Sequence, residues 1–213
     1  GRTTDMGHAA YAADGSDRRQ AQPCPFTEQL QIWTFDAVAE YGLPDFDTQV
    51  AAYERAVQSA RQRAPEQLTT GGYYKTIVSG MIQTFGWERL LEAAADQQRF
   101  ERVIDGFFRL SLHHYQAQAE TSIEAFICHD DMVWSEGPFM HPDFYRSAIF
   151  PRYQKLWEPL REAGKLVLFC ADATYTEFLP DLAAAGAHGF IFEPMTSLEA
   201  AVDALRLRAW DYL

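Results

Sequence analysis

The second half of the chain alternates short apolar runs with segments of helical periodicity. The apolar runs occupy positions 123–128, 165–170 and 189–192. The helical segments that follow them occupy positions 142–163, 175–185 and the residues from 197 onwards. The runs are continuous rather than alternating, which is typical of strands buried on both faces. Strands and helices that alternate with short connections predict parallel strands and right-handed crossovers, so a (β/α) barrel and an open doubly wound sheet both fit.

Glycine and proline residues set the expected limits of these helices. Gly164 and Gly186 stand where the residue after a helix is often glycine, because glycine adopts a left-handed backbone without strain. Pro151 and Pro159 lie inside the segment 142–163 and predict a break or a kink there, since proline cannot donate the helical hydrogen bond.

The first half of the chain is predicted to be mainly helical. Helices are expected at 26–41, 47–63, 75–84 and 87–95, with a short strand at 66–70. The clearest amphipathic helix is predicted from the spacing of Phe100, Val103, Ile104, Phe107, Phe108 and Tyr115. Residues 1–25 are polar and interrupted by glycine and proline, which predicts a loop or a hairpin. We expect residues 1–213 to form a single domain of the barrel type.

Composition narrows the class of partner. The 213 residues are 47% hydrophobic, which is sufficient for a sizeable core, and the formal net charge is −12. Such a charge disfavours nucleic acid and anionic membrane as partners. The sequence contains neither a long apolar span nor a visible signal peptide. Three widely separated cysteines favour free thiols in a reducing compartment, so the expected location is the cytoplasm.

Ionisable residues follow the predicted strands. The first of the three strands ends in His129, Asp130 and Asp131, and Asp172 follows the second. Parallel strands bring such groups to one rim, where barrel enzymes carry their chemistry. Neighbouring residues of a strand face opposite sides, so one aspartate is expected to face the mouth and the other to cap a loop or a helix. His129 is a candidate general acid-base, with a hydrogen-bonded loop histidine as the alternative.

Further candidates lie near the same rim. Cys170 can ligate zinc as a thiolate or serve as a buried structural residue. Glu193 precedes a proline at the end of the third strand. A carboxylate in that position requires an interaction partner, so Glu193 is a candidate functional residue. Tyr73 and Tyr74 follow two glycines and are candidates for substrate binding together with Asp172, with core packing of the tyrosines as the alternative.

Two further patterns bear on metal and nucleotide binding. The adjacent pair His113 and His114 has no metal-ligand spacing and is expected at the surface. The glycine-rich fingerprints of dinucleotide and phosphate binding do not follow any predicted strand.

Several short motifs occur in a fixed order over about residues 72–194. They are the glycine-rich segment 70–79, Phe85-Gly86-Trp87-Glu88, Asp130-Asp131, Gly137-Pro138, His141-Pro142, Phe150-Pro151-Arg152-Tyr153, Cys170 with Asp172, Ala185-Gly186-Ala187-His188 and Phe192-Glu193-Pro194. In this order they resemble the uroporphyrinogen decarboxylase superfamily, which includes the cobalamin-dependent methyltransferases. The resemblance implies a (β/α)8 barrel of the TIM type. The chain is shorter than the roughly 250 residues usual for such a barrel, so an incomplete or truncated barrel is expected.

The resemblance is stronger to the methyltransferase branch. That branch usually carries an acidic pair at the position of Asp130 and Asp131. Its zinc enzymes present His-x-Cys followed by a later cysteine, and here Cys170 matches the first cysteine while Leu168 stands in place of the histidine. Glu193 matches an acidic position that can approach the metal. Because the remaining ligands are not matched, we expect the isolated protein to be largely free of zinc.

Three functions follow as hypotheses. The first is transfer of a methyl group involving a corrinoid or a thiol, with Asp131 or His129 orienting the substrate or moving a proton and with Cys170 and Glu193 as candidate metal ligands. The second is decarboxylation of a uroporphyrinogen-like acid, with Asp130 stabilising a protonated pyrrole. The third is a catalytically degenerate barrel that only binds. A small-molecule substrate is expected, a corrinoid protein is a candidate partner, and a homodimer is a candidate assembly.

Overall fold

The computed structural model describes residues 24–210, without the side chains of 207–210. Its strands are β1 (Thr70–Gly72), β2 (Ala125–His129), β3 (Val133–Trp134), β4 (Gly137–Pro138), β5 (Leu166–Cys170) and β6 (Gly189–Ile191). Four of them form a parallel sheet in the order β1-β2-β5-β6, and β3 and β4 form a small antiparallel hairpin beyond the end of β2. The parallel connectivity predicted for the three late strands is confirmed.

The described residues also contain ten α-helices. They are α1 (Gln29–Trp33), α2 (Ala37–Tyr41), α3 (Phe46–Arg63), α4 (Ile77–Phe85), α5 (Trp87–Ala94), α6 (Gln97–Ala119), α7 (Pro142–Phe144), α8 (Phe150–Glu162), α9 (Leu179–Ala185) and α10 (Leu198–Trp210). A π-helical segment (Tyr145–Ile149) joins α7 to α8, and a 3-10 turn (Thr176–Phe178) precedes α9.

One face of the sheet packs against helices. Phe126 of β2 contacts Tyr115 of α6, with ring centroids 4.4 Å apart, and Phe169 of β5 contacts Tyr153 of α8 at 5.8 Å. The predicted apolar face of α6 is confirmed, because Phe107 is completely buried, although its neighbour Phe108 is only partly buried. A single large core thus lies between the sheet and the helices.

The opposite face of the sheet is partly open. Leu166 is 46% exposed and Ile191 41% exposed, and Leu168, which alternates with buried Val167 and Phe169, is only partly buried. The prediction that both faces of the strands are buried is therefore wrong for the described residues. An apolar run fixes the strand but carries no information on whether a second layer covers it.

The segment predicted as one helix at 26–41 forms two short helices instead. The hydroxyl of Thr34 donates to the Leu30 carbonyl at the end of α1. The Asp36 carboxylate then accepts hydrogen bonds from the backbone N–H groups of Val38 and Ala39, which begins α2. An aspartate at the N-cap favours the start of a helix, because its carboxylate accepts from N–H groups that have no partner within the helix.

The first strand lies later than predicted, at Thr70–Gly72 rather than at 66–70. A Cβ atom on Gly71 would overlap with the Gln118 side chain, and Gln118 Nε2 donates to the Gly72 carbonyl at 2.6 Å. Glycine therefore allows α6 to approach β1 closely, and this tertiary contact outweighs the weak strand propensity of glycine.

The two prolines predicted to disturb the segment 142–163 lie in α8, Pro151 at its start and Pro159 inside it. The Phe150 N–H bonds to the carbonyl of Tyr145, five residues earlier, so one extra residue is accommodated immediately before Pro151. The predicted disturbance therefore occurs as a π-helical segment. Helix α8 continues past Pro159 to Glu162.

Other expectations concern the termini and the thiols. Most of the loop or hairpin predicted for residues 1–25 lies outside the described residues, and the single domain over 1–213 stays a prediction. Cys24, Cys128 and Cys170 are free cysteines. Within residues 24–210, no helix has the length and apolar character needed to cross a membrane.

Candidate active site

The carboxyl edge of the sheet brings together one imidazole and two carboxylates. His129 is the last residue of β2, Asp131 lies two residues beyond it, and Asp172 lies two residues beyond the end of β5. One ligand atom from each lies within 4.8 Å of the others. His129 Nε2 is 3.5 Å from Asp131 Oδ1, and both side chains are about four-fifths buried, at 19% and 22% exposure. We call His129, Asp131 and Asp172 the rim triad.

Asp130 points away from the rim triad and into the helical layer. It is completely buried, and its carboxylate accepts from the N–H groups of Val78 at 3.1 Å and Ser79 at 2.5 Å, at the start of α4. The hydroxyl of Tyr153 in α8 donates to it at 2.5 Å. Burial raises the pKa of Asp130 to about 6, although the hydrogen bonds from Tyr153 and the α4 amides act in the opposite direction. One aspartate thus caps a helix and the other faces the mouth, as predicted.

Asp131 is held at the mouth by the first turn of α4. Its backbone N–H donates to Ser79 Oγ at 2.8 Å, and the Ser79 hydroxyl lies 3.4 Å from Asp131 Oδ2. Burial raises the pKa of Asp131, the nearby His129 lowers it, and the negative charge of Asp172 raises it further. Asp131 Oδ1 is buried and has no hydrogen-bond partner among the described residues.

The two predicted substrate-binding tyrosines lie in different places. The ring of Tyr74 stacks on His129 with centroids 4.7 Å apart, so Tyr74 borders the rim triad. Burial and the negative charges of Asp131 and Asp172 raise the pKa of Tyr74 to about 12. Tyr73 instead stacks on His114 at 4.1 Å, on the side of α6. The structure therefore places Tyr74, and not Tyr73, beside the rim triad.

His114 is not the surface residue that the sequence predicted. Its Nδ1 lies 2.8 Å from the hydroxyl of Tyr53 in α3, and Tyr73 covers its ring. Burial lowers the pKa of His114 to about 4, with a smaller contribution from neighbouring His113. His113 is also partly buried and packs edge-on against Phe46. Both histidines belong to the contact between α3 and α6.

Cys170 and Glu193 lie at the same edge but do not form a metal site with the rim triad. Cys170 is partly buried, and burial, Asp172, Asp131 and Glu193 raise the pKa of its thiol to about 11. The Glu193 carboxylate accepts from the Ala173 N–H at 2.8 Å and so holds the loop after β5. Leu168 offers no ligand atom. The donor set present at this position therefore does not fit the zinc site that the resemblance implied.

Two residues that the sequence does not single out hold the acidic pair in place. Ser79 lies 52 positions before Asp131, and Tyr153 lies 23 positions after Asp130. Both fall inside stretches that carried the resemblance, but a single sequence does not show which side chains those stretches bring to Asp130 and Asp131.

Comparisons with known proteins identify a matching family. A sequence model described as uroporphyrinogen decarboxylase (URO-D) matches residues 19–209. Among solved structures, a methyltransferase from Methanosarcina mazei aligns with a TM-score of 0.59 and 17% identity, over 72% of this chain and 44% of that chain. The chain thus spans less than half of that protein, and at this identity the likeness shows the fold alone. No curated protein sequence matches.

The comparisons and the structure agree on the fold. The parallel sheet with its helical layer corresponds to part of a TIM-type (β/α) barrel, and the expectation of an incomplete barrel is confirmed. Since the family match extends over most of its length, the chain belongs to the uroporphyrinogen decarboxylase (URO-D) family.

Proposed function

We propose that the chain transfers a methyl group between a corrinoid and a thiol, at the carboxyl edge of the sheet. The observation that carries the proposal is the rim triad, a compact group of two carboxylates and an imidazole at the edge where barrel enzymes hold their reacting groups. The fold similarity to the Methanosarcina mazei methyltransferase supports it.

The reaction requires that the thiol loses its proton. The thiolate sulfur then attacks the methyl carbon, the carbon–cobalt bond breaks, and its electron pair stays on cobalt. His129 and Asp131 are the proposed groups that orient the thiol and take its proton, since they lie 3.5 Å apart and partly shielded from water. Tyr74 stacks on His129 and would fix the plane of the imidazole.

Decarboxylation of a uroporphyrinogen-like acid is the alternative, and the family description favours it. Two observations count against it. A substrate with several carboxylates would meet a protein of net charge −12. Asp130, the carboxylate proposed to stabilise a protonated pyrrole, is completely buried and occupied by α4 and Tyr153.

The proposal is tested by mixing the protein anaerobically with methylcob(III)alamin and a series of small thiols. Loss of the methylcobalamin absorbance, together with the methylated thiol identified by mass spectrometry, is the expected result. A rate equal to that of thiol and methylcobalamin alone would refute catalysis of this reaction and leave decarboxylation or a binding role.

A further inference from the structure

We infer that the rim triad is a binding site for one divalent transition-metal ion, held by one imidazole nitrogen and two carboxylate oxygens. This donor set differs from the thiolate set that the resemblance implied, because it contains neither Cys170 nor Glu193.

The spacing of the donors is close to what a metal ion needs. Donor atoms about 2.1 Å from a common ion are separated by roughly 3 to 4 Å. The three ligand atoms lie within 4.8 Å of one another, and one pair, His129 Nε2 and Asp131 Oδ1, is already at 3.5 Å. Side-chain adjustments of about 1 Å would therefore bring all three into the range expected for a metal site.

An unsatisfied carboxylate oxygen points to a missing positive charge. Asp131 Oδ1 is buried and lacks a hydrogen-bond partner within residues 24–210. In the same part of the chain, no lysine or arginine forms an ion pair with Asp131 or Asp172. A buried carboxylate oxygen without a donor is costly, and a bound cation would remove that cost.

Two of the three ligands, His129 and Asp131, are held in place by their surroundings, whereas Asp172 is exposed. Tyr74 stacks on the ring of His129, and Ser79 binds the backbone and the side chain of Asp131. Such outer contacts orient the ligands of metal sites.

The mixed donor set indicates the class of ion. Imidazole nitrogen suits Zn²⁺, Co²⁺ and related ions, whereas a site of oxygens alone would suit Mg²⁺ or Ca²⁺. Three protein ligands leave an open position. If the proposed methyl transfer is correct, an ion in this site would lie beside the substrate thiol. That placement rests on the proposed function, whereas metal binding itself does not.

The test uses Co²⁺ added to the metal-free protein and followed by calorimetry and absorption spectroscopy. We expect one ion per chain, with affinity weakened at least about tenfold in Asp131→Asn and in Asp172→Asn. Glu193→Gln and Cys170→Ser serve as matched controls on the same edge and should bind as the wild type does. The absorption spectrum should lack the thiolate-to-cobalt charge-transfer band.

Loss of binding in Cys170→Ser, or a charge-transfer band in the wild type, would overturn the inference in favour of a thiolate site. Absence of Co²⁺ binding, or unchanged binding in Asp172→Asn, would overturn it as well. Circular dichroism and the melting temperature of each metal-free variant separate lost binding from lost folding. Because no substrate is used, a failure of methyl transfer leaves this result intact.

Discussion

Asp130 and Asp131 are adjacent in sequence but lie in different environments. Asp130 is enclosed by the start of α4 and by Tyr153, and Asp131 faces the mouth beside His129. The alternation of a strand predicted this division from sequence alone. The sequence could not show which aspartate faces which way, because that depends on which face of β2 the helices cover.

The buried state of Asp130 predicts a pH-dependent stability. Its pKa is raised from 3.8 to about 6, so the folded protein binds this proton more tightly than the unfolded chain. The resulting stabilisation is complete below about pH 4 and is lost as the pH rises through about 6, an effect of about 3 kcal/mol in the free energy of unfolding. Urea unfolding of wild type and Asp130→Asn across this window measures it, since asparagine retains hydrogen-bonding groups without titrating. Equal pH slopes in the two proteins would contradict the assignment.

Tyr74 is predicted to act through its ring. Tyr74→Ala removes the surface that stacks on His129, so kcat for methyl transfer should fall by roughly tenfold or more as the imidazole loses its orientation. Tyr74→Phe keeps that surface and is the matched control, with activity close to the wild type. If the two variants were equally impaired, the hydroxyl rather than the ring would be the active part of the residue.

Among the helices and strands, the apolar pattern predicted those that depend on local sequence alone. The long helix α6 and the strands β2 and β5 follow from repeated apolar positions. The register of β1 could not be read from Thr70-Gly71-Gly72, because it depends on Gln118, 46 residues beyond Gly72. The break between α1 and α2 depends on whether the Asp36 side chain turns back to its own backbone, which helical spacing does not reveal.

Gly80 marks a close crossing of α4 over α6. A Cβ at Gly80 would lie 2.7 Å from Phe107 Cδ1 and 2.8 Å from the Lys75 carbonyl oxygen. Gly80→Ala should therefore destabilise the protein by about 1–3 kcal/mol, although alanine normally favours a helix. Gly106→Ala is the milder variant for comparison, because its Cβ would lie 3.3 Å from the Ala37 nitrogen. It should lower the free energy of unfolding by less than Gly80→Ala does. Urea unfolding of both variants measures the difference, and a stabilised Gly80→Ala protein would contradict this packing.

At the scale of the whole molecule, strand and helix alternation predicted the parallel sheet, and chain length predicted an incomplete barrel. The open face of the sheet was not predicted, since Leu166 and Ile191 have the apolar character of core residues yet are 46% and 41% exposed. Apolar composition describes what a side chain favours, whereas exposure depends on whether another layer is present.

The overall charge predicts which substrate is rejected. A chain of net charge −12 should bind uroporphyrinogen weakly, because the protein and the several carboxylates of this acid repel each other. We expect no conversion above background when the protein is incubated with uroporphyrinogen and the products are separated by liquid chromatography. Stepwise loss of carboxyl groups would favour the decarboxylase alternative over methyl transfer.

If the rim triad forms the reacting centre for methyl transfer, the anaerobic methylcobalamin–thiol rate of matched variants depends directly on its two carboxylates. The wild type should exceed the uncatalysed rate, and Asp131→Asn and Asp172→Asn should each fall by about a hundredfold or to background. Arg89→Ala, which alters only a surface ion pair between Arg89 and Glu92, should keep the wild-type rate. Wild-type rates in both aspartate variants would show that the rim triad is not the reacting centre.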